Sequence, residues 1–401
     1  MINIIFTAHN CNLSFIENEI RYLLNHSGIE NLKVYTDFPI EDAEIAFHDK
    51  IEVFLTGKVT SPMLRLNIFP LIIKEFMSHA FWYVINNKWK EFTSILRNHL
   101  RKANFIYENG IEQKDILYSF WGGSGAFVLA ALKHYGLKNL VLTRLHAFDI
   151  YEDGDNKGHI PWRVFVYSRL NKLITISKHG ESYLKKKYEF TRAKINTINL
   201  GIYFSEFKLC LPPIDGINLV SCSWVGKRKN LSGVCCALGM EKNMSWTHLG
   251  DGEHFESLKE FCRGKQTNLK VLLPGRLTQE EIHDYYESQA ISCFISLSTN
   301  EGLPVSMMEA MAHGIPVVST DVGGCSEIVN ENTGVLLPKN YTDEDVRKAV
   351  YLCAEKFSSR EARQKIQDFI KENFDAEKNY RKFVDFLEKA NKEHHEKLKN
   401  D

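Results

Sequence analysis

Strand-length apolar runs and helical stretches alternate twice along this chain, once on each side of a proline-bearing break, and few folds accept that rhythm. The run "INIIF" reads as a buried strand. "SFIENEIRYLLNH" spaces its apolar residues by three and four, the pattern of an amphipathic helix. "KVYTDF" and "IEVFLTG" continue as strands, and the aromatic-rich stretch from Ser61 to Leu100 reads as helical. "DILYSF", a Gly-Gly pair and "AFVLAALKHYG" give strand, turn and helix, followed by the strand "NLVLTRLH". "PWRVFVYSRLN", "KLITIS", "HGESYLKKKY" and "KINTINLGI" close the first half, and "KLCLPPIDG", Lys208 to Gly216, reads as a linker. A second alternation follows, from "INLVSCSW" to the strand "IPVVST", and the chain ends in the charged helical stretch "AEKNYRKFVDFLEKANKEHHEKLKND". The expected fold is α/β, with two Rossmann-like, doubly wound parallel-sheet domains facing a central cleft. They span residues 1–205 and 206–375, and residues 376–401 form a helix that returns to the first domain. Ligands of such sheets bind outside the carboxyl ends of the strands.

Length and composition agree with that division. A chain of 401 residues is too long for one core. Lys+Arg and Asp+Glu balance at 50 each, so global charge does not call for nucleic acid and any anion site must come from local clustering. The nine cysteines are scattered without a Cys-x-x-Cys, which argues against a disulfide framework or zinc and for a reducing cytoplasm. The start "MINIIFTAHN" has no signal-peptide pattern. "FMSHAFWYVINN" falls short of the roughly 20 residues of a spanning helix, so no transmembrane segment is expected.

The stretch "STNEGLPVSMMEAMAHGIPVVST", Ser298 to Thr320, carries the chemistry. It begins as the loop after the strand "ISCFISLS". Pro304 suits a first helical turn, and His313-Gly314-Ile315-Pro316 supplies a stop. The intervening helix is apolar nearly all round and is therefore buried, yet it contains Glu309. An unpaired buried carboxylate costs several kcal/mol, so either an Arg or Lys, or a ligand with two adjacent hydroxyls, must meet it. Just ahead, the amides of Gly302 and Leu303 and the helix dipole make a ready anion site. Phosphate at the helix start and a ribose diol one turn on would together describe a nucleotide; a structural ion pair is the other reading. In "SWVGKRKNLSG", the cations Lys227, Arg228 and Lys229 stand before a helix start, where the dipole disfavours them. A bound anion or plain solvation would account for the turn.

"EGLPVSMMEAMAHGIPVVST" followed by "DVGGCSEIV" resembles the signature of the retaining nucleotide-sugar glycosyltransferases of family 4, which have the two-Rossmann-domain architecture called GT-B. The resemblance implies that Glu309 holds the ribose hydroxyls, and that Glu301 with Gly302, Leu303 and Pro304 attends the sugar phosphate. It gives Glu327, after Gly323-Gly324, a structural job of capping or pairing. Lys229 falls at the family's diphosphate-binding lysine, but Trp224 stands where an arginine is usual, and Arg228 is the substitute, since guanidinium meets phosphate bidentately. Gly275 and Arg276 of "LLPGRL" resemble the strand end that meets the nucleotide base. His146, at the end of "NLVLTRLH", takes the place of a first-domain histidine beside the donor sugar; a satisfied structural histidine is the plain alternative. "RLHAFDIY", "IPWR" and "LITISKHGESYL" are similar to the bacterial polysaccharide-assembling branch.

The resemblance implies a cytoplasmic, metal-independent retaining glycosyltransferase with no cofactor, moving a sugar from a nucleotide-diphosphate donor to a growing surface glycan such as lipopolysaccharide, capsule or exopolysaccharide. Asp153-Gly154-Asp155 is read as a solvated turn and not as a metal site. A nucleotide-sugar 2-epimerase on the same fold and a non-catalytic nucleotide-sugar-binding protein are the rival readings. A lipid-linked acceptor would bring the protein to the inner membrane face. Leu64 to Lys102, with aromatics beside Lys88, Lys90, Arg97, Arg101 and Lys102, has the composition of an interfacial surface, as well as that of a buried helix pair with a basic face.

Overall fold

The computed structural model describes residues 2–8, 14–57, 59–64, 73, 75, 77, 89–152, 158–265 and 267–400. The chain packs as two units, one of residues 1–176, 181–198 and 380–401, the other of residues 177–180 and 199–379.

The first unit is built on seven parallel strands in the order β3-β2-β1-β4-β5-β6-β7. These are β1 Ile2–Ala8, β2 Ile29–Thr36, β3 Ile51–Leu55, β4 Ile116–Ser119, β5 Val141–Leu145, β6 Lys172–Thr175 and β7 Ile195–Thr197. β1 and β4 lie side by side, with Phe6 opposite Tyr118, and the chain winds outward from them in both directions. Both faces are covered, which is why every residue of β4 and β5 is buried. The helices Trp89–Glu108, Ser124–Tyr135 and Arg163–Arg169 cover one face through Leu96, Leu100, Leu129, Leu132 and Val166. On the other, helix Ser14–Asn25 buries Ile16, Ile20, Leu23 and Leu24 at helical spacing. Beside it lie Phe383, Val384, Leu387 and Ala390 of the last helix, Ala376–Asn400. The end of the chain therefore completes the core begun by its first strand.

One sequence expectation needs correction in detail. Lys102, counted among the interfacial cations, is buried and its Nζ lies 2.5 Å from Asp37 Oδ1. Leu96 and Leu100 of the same helix face the core, and among the cations whose side chains are described Arg97 and Arg101 are the exposed ones. Lys88 and the Lys90 side chain lie outside the described residues. Among those described, no helix is long and apolar enough to cross a membrane.

The second unit holds six parallel strands in the order β10-β9-β8-β11-β12-β13. They are β8 Ile217–Cys222, β9 Met244–Leu249, β10 Lys270–Gly275, β11 Cys293–Ser296, β12 Val317–Thr320 and β13 Gly334–Leu337. The presumed linker is tied down at its start. Cys210 N donates to His313 O at 2.8 Å, and Arg363, fully buried, donates to the carbonyls of Cys210, Ser292 and Phe357 at 2.7, 2.9 and 2.9 Å. A proline pair signals a turn but does not say whether the backbone beside it is docked.

Within the first unit, Glu19, Tyr118 and Arg144 form a buried cluster. Tyr118 donates to Glu19 Oε1 at 2.6 Å, Arg144 Nη2 lies 2.9 Å from Glu19 Oε2, and the guanidinium lies over Phe383. Removing one partner strands the other in the core. We expect Arg144→Met to cost about 3–5 kcal/mol, and Glu19→Met combined with Arg144→Met to recover most of it. Chemical denaturation of the three chains measures this; an additive double variant would contradict the coupling.

Candidate functional site

The site in the second unit starts from β11, whose apolar residues bury the strand and deliver Leu297–Pro304 as a loop at its carboxyl end. Two glycines fix that loop. Gly324 N donates to Gly302 O at 2.9 Å, and a Cβ on Gly324 would lie 2.2 Å from the same oxygen. Gly323 has φ +56°, and a Cβ there would lie 1.7 Å from Glu301 O. Only glycine allows this approach. From the other side, Thr299 N donates to Arg228 O at 2.8 Å, joining the loop to the Lys227–Lys229 turn after β8.

Helix Val305–Ala312 follows, with Pro304 as its N-cap and no side chain capping it. Met307, Met308, Ala310, Met311 and Ala312 are buried, as the sequence implied. Among the described residues, the amides of Gly302, Leu303, Val305 and Ser306 donate to no protein acceptor. They form an uncapped, electropositive helix start.

Glu301 is buried and accepts from Lys229 Nζ at 2.6 Å. Burial would raise its carboxyl, but the Lys229 ammonium, Ser298 and Arg228 together outweigh burial and hold it below its ordinary value. Glu309 differs. It is half-buried, and it accepts from a neutral amide, Gln279 Nε2 at 2.8 Å from Oε1. Among the described residues no cation pairs with it, so the structural ion pair is not found. Burial pushes the carboxyl up to about 7, against a weaker lowering from Gln279. The charges of Glu309 and Lys229 both act on the Cys222 thiol at the carboxyl end of β8, one raising and one lowering it.

Gly275 ends β10 with φ +90° and accepts from Gly250 N at 2.8 Å, while Arg276 is exposed. Neither hydrogen-bonds to Glu301 or Glu309, although Gln279, three residues after Arg276, reaches Glu309. Trp224 is exposed, and Arg228 is linked to the site through its carbonyl. Glu327 accepts from the amides of Lys178 and His179 at 3.0 and 2.9 Å, a cap of the kind foreseen for it.

His146 belongs to the first unit and directly follows β5. Its Nε2 lies 3.2 Å from Phe120 O, and its ring packs 4.2 Å from that of Trp121. Burial, with the Arg144 charge, lowers it to about 3. The ring is neutral near pH 7, which removes it as an imidazolium acid and leaves it as a hydrogen-bonding group. Asp153 and Asp155 lie outside the described residues.

Gln279 and the two glycines were missed as site-builders. The capping box Thr278-x-x-Glu281 was the available signal for the first: Thr278 Oγ1 accepts from Glu281 N at 3.2 Å and Glu281 returns the bond at 2.7 Å. It marks a helix start with Gln279 as the first helical residue.

Residues 219–373, most of this unit, match the family model described as "Glycosyl transferases group 1". The chain is 24% identical over 247 residues to the O-antigen biosynthesis glycosyltransferase WclY of Escherichia coli, covering 57% of this chain and 64% of that protein. It is 29% identical over 239 residues to the amylovoran biosynthesis glycosyltransferase AmsK of Erwinia amylovora, covering 56% and 58%. The chain thus spans less than two thirds of the length of these relatives. The Anabaena protein HepE, solved in complex with UDP, shares the fold over 97% of this chain and 100% of its own, with a TM-score of 0.67 at 14% identity. The architecture is therefore GT-B, two Rossmann-like parallel-sheet domains.

The raised Glu309 carboxyl has a measurable consequence. Between its ordinary value of 4.5 and about 7, the unfolded chain is ionised at this position while the folded chain keeps its proton. The burial cost is thus absent below the lower limit and fully present above the upper one. We expect Glu309→Gln to stabilise the ligand-free protein at pH 8 by about 1–3 kcal/mol, and hardly at pH 4. Denaturant titrations at both values check this; equal gains at the two would contradict it.

Proposed function

We propose that the protein is a retaining glycosyltransferase that moves a sugar from a nucleoside-diphosphate sugar to a growing bacterial surface glycan. The observation that carries the reading is Glu309, a half-buried carboxylate with no cation partner among the described residues, one turn behind an uncapped helix start whose preceding loop holds Glu301 of the Lys229–Glu301 pair. A ribose diol supplies the two donors that Glu309 lacks, and a diphosphate supplies the charge that the free amides and Lys229 attract.

In this reading Lys229, Arg228 and the amides of Gly302 and Leu303 stabilise the departing diphosphate by preorganised electrostatics. Glu301 holds Lys229 in place and approaches the transferred sugar. The acceptor hydroxyl bonds to the anomeric carbon on the face from which phosphate leaves, and its proton passes to the leaving phosphate oxygen. The positive charge comes from protein groups, so no metal is required. Gly275 and Arg276 are assigned to the base, and His146, neutral, to a sugar hydroxyl. WclY and AmsK are named for O-antigen and amylovoran biosynthesis, which supports a surface glycan as product. The acceptor is lipid-linked and the protein works at the inner membrane face, with Arg97 and Arg101 among the residues that would meet it.

Thermal-shift screening against nucleoside diphosphates tests the reading, since a ligand at a hundredfold excess over Kd adds about 2.7 kcal/mol of stability. We expect UDP or GDP to stabilise the chain and the matching nucleoside to do so far less. Lys229→Ala should weaken the diphosphate more than the nucleoside, and Glu309→Gln should cost roughly 1.5–3 kcal/mol of diphosphate affinity. Equal losses for both ligands in Lys229→Ala would make Lys229 a support of the fold. Transfer activity should survive EDTA; a loss restored by manganese would bring back Asp153 and Asp155 as metal ligands.

A further inference from the structure

We propose that Cys235 and Cys262 form a redox-responsive dithiol that closes reversibly into a disulfide, and that closure changes the affinity of the adjoining Lys227–Asn230 turn for a nucleoside diphosphate. The formation of the bond stands on the geometry alone; its coupling to affinity rests on the function proposed above.

The two sulfurs lie 3.0 Å apart, about 1 Å longer than a disulfide bond. They sit on adjacent helices, Leu231–Leu238 and Phe255–Gly264. Cys235 is buried and Cys262 is partly exposed, so a reagent from solvent meets Cys262 first. The hydrogen bond between the two sulfurs lowers the Cys262 thiol, while the same contact and burial raise Cys235. Its exposure makes Cys262 the attacking sulfur and the buried Cys235 the resolving one. Cys236, next along the first helix, is exposed, and its Sγ lies 3.0 Å from Lys265 Nζ. Cys293 and Cys353 are fully buried and out of reach of any such reagent.

The pair also occupies a position with leverage. Helix Leu231–Leu238 begins directly after Lys229 and Asn230, and Asn230 adopts the left-handed conformation at its start. The two helices border an open cleft whose lining includes Lys227, Asn230 and Phe261. Drawing the sulfurs to bond length shifts these helices relative to each other, and the Lys227–Asn230 turn moves with the first.

The oxidant is a low-molecular-weight disulfide such as glutathione disulfide. The Cys262 thiolate attacks one of its sulfurs, the glutathione S–S bond breaks, and one glutathione leaves as thiol after taking a proton. Cys235 then loses its proton and attacks Cys262 Sγ in the mixed disulfide, expelling the second glutathione as thiol. Two protein thiols are oxidised and one disulfide is reduced. In a reducing compartment such a bond is transient, which suits a sensor.

The test equilibrates the full chain in glutathione mixtures of rising oxidised fraction, quenches with an alkylating reagent and maps the peptides. UDP and GDP affinities are then measured for the reduced and oxidised forms. We expect a Cys235–Cys262 cross-linked peptide, reversed by dithiothreitol, in the wild type and in Cys236→Ser but absent from Cys262→Ser. Oxidation should change the diphosphate Kd roughly fivefold or more, the lower end of ordinary coupling between sites, and leave Cys262→Ser unaffected. Adducts or links at Cys236 without the Cys235–Cys262 bond would overturn the dithiol. A mapped bond with unchanged affinity would overturn its coupling to the turn. If the reduced chain binds neither nucleotide, the function proposed above fails and the coupling with it, while the mapped bond still decides the dithiol.

Discussion

The close approach of Gly323 and Gly324 to the backbone of Glu301 and Gly302 is the contact on which the candidate site depends. It needs two residues without a Cβ, one of them in the left-handed region, and it pins a loop that would otherwise be free to turn. Once pinned, the loop holds Glu301 against Lys229 and leaves the following amides without protein acceptors. An alanine at either glycine would drive Cβ into a carbonyl oxygen. The site is therefore set by backbone geometry before any charged side chain enters.

Electrostatics then divides the two glutamates. Glu301 has an ammonium within hydrogen-bonding distance and stays ionised, whereas Glu309 has a neutral amide and is raised to about 7. The ligand-free protein thus carries an uncompensated cost at Glu309 that a pair of hydroxyl donors would relieve. That asymmetry, more than the presence of two carboxylates, is what favours a nucleotide over a structural ion pair.

Much of this was legible in the sequence. Two alternations of strand and helix implied two doubly wound sheets, because strands buried on both faces must read as apolar runs. The buried helix around Glu309 followed from its lack of a polar face. Other features were not legible, for physical reasons. The docking of Cys210 depends on Arg363, more than 150 residues away, and no local pattern reports a carbonyl that a distant guanidinium will bind. Lys102 looks like a surface cation until the fold brings Asp37 to it. β13, Gly334–Leu337, is short and follows a loop, so its periodicity is weak, although its first glycine meets Val317 of β12 too closely for any side chain. The charge state of His146 also required the fold, since burial and then the Arg144 charge determine it.

The central claim is that the start of helix Val305–Ala312, with Glu309 behind it, receives a nucleoside diphosphate. Amide hydrogen exchange read residue by residue tests this most directly, with and without saturating UDP or GDP. The account predicts that the amides of Gly302, Leu303, Val305 and Ser306 slow markedly with the diphosphate and little with the nucleoside. Protection confined to other parts of the chain, with these four amides unchanged in a protein that demonstrably binds the nucleotide, would contradict it.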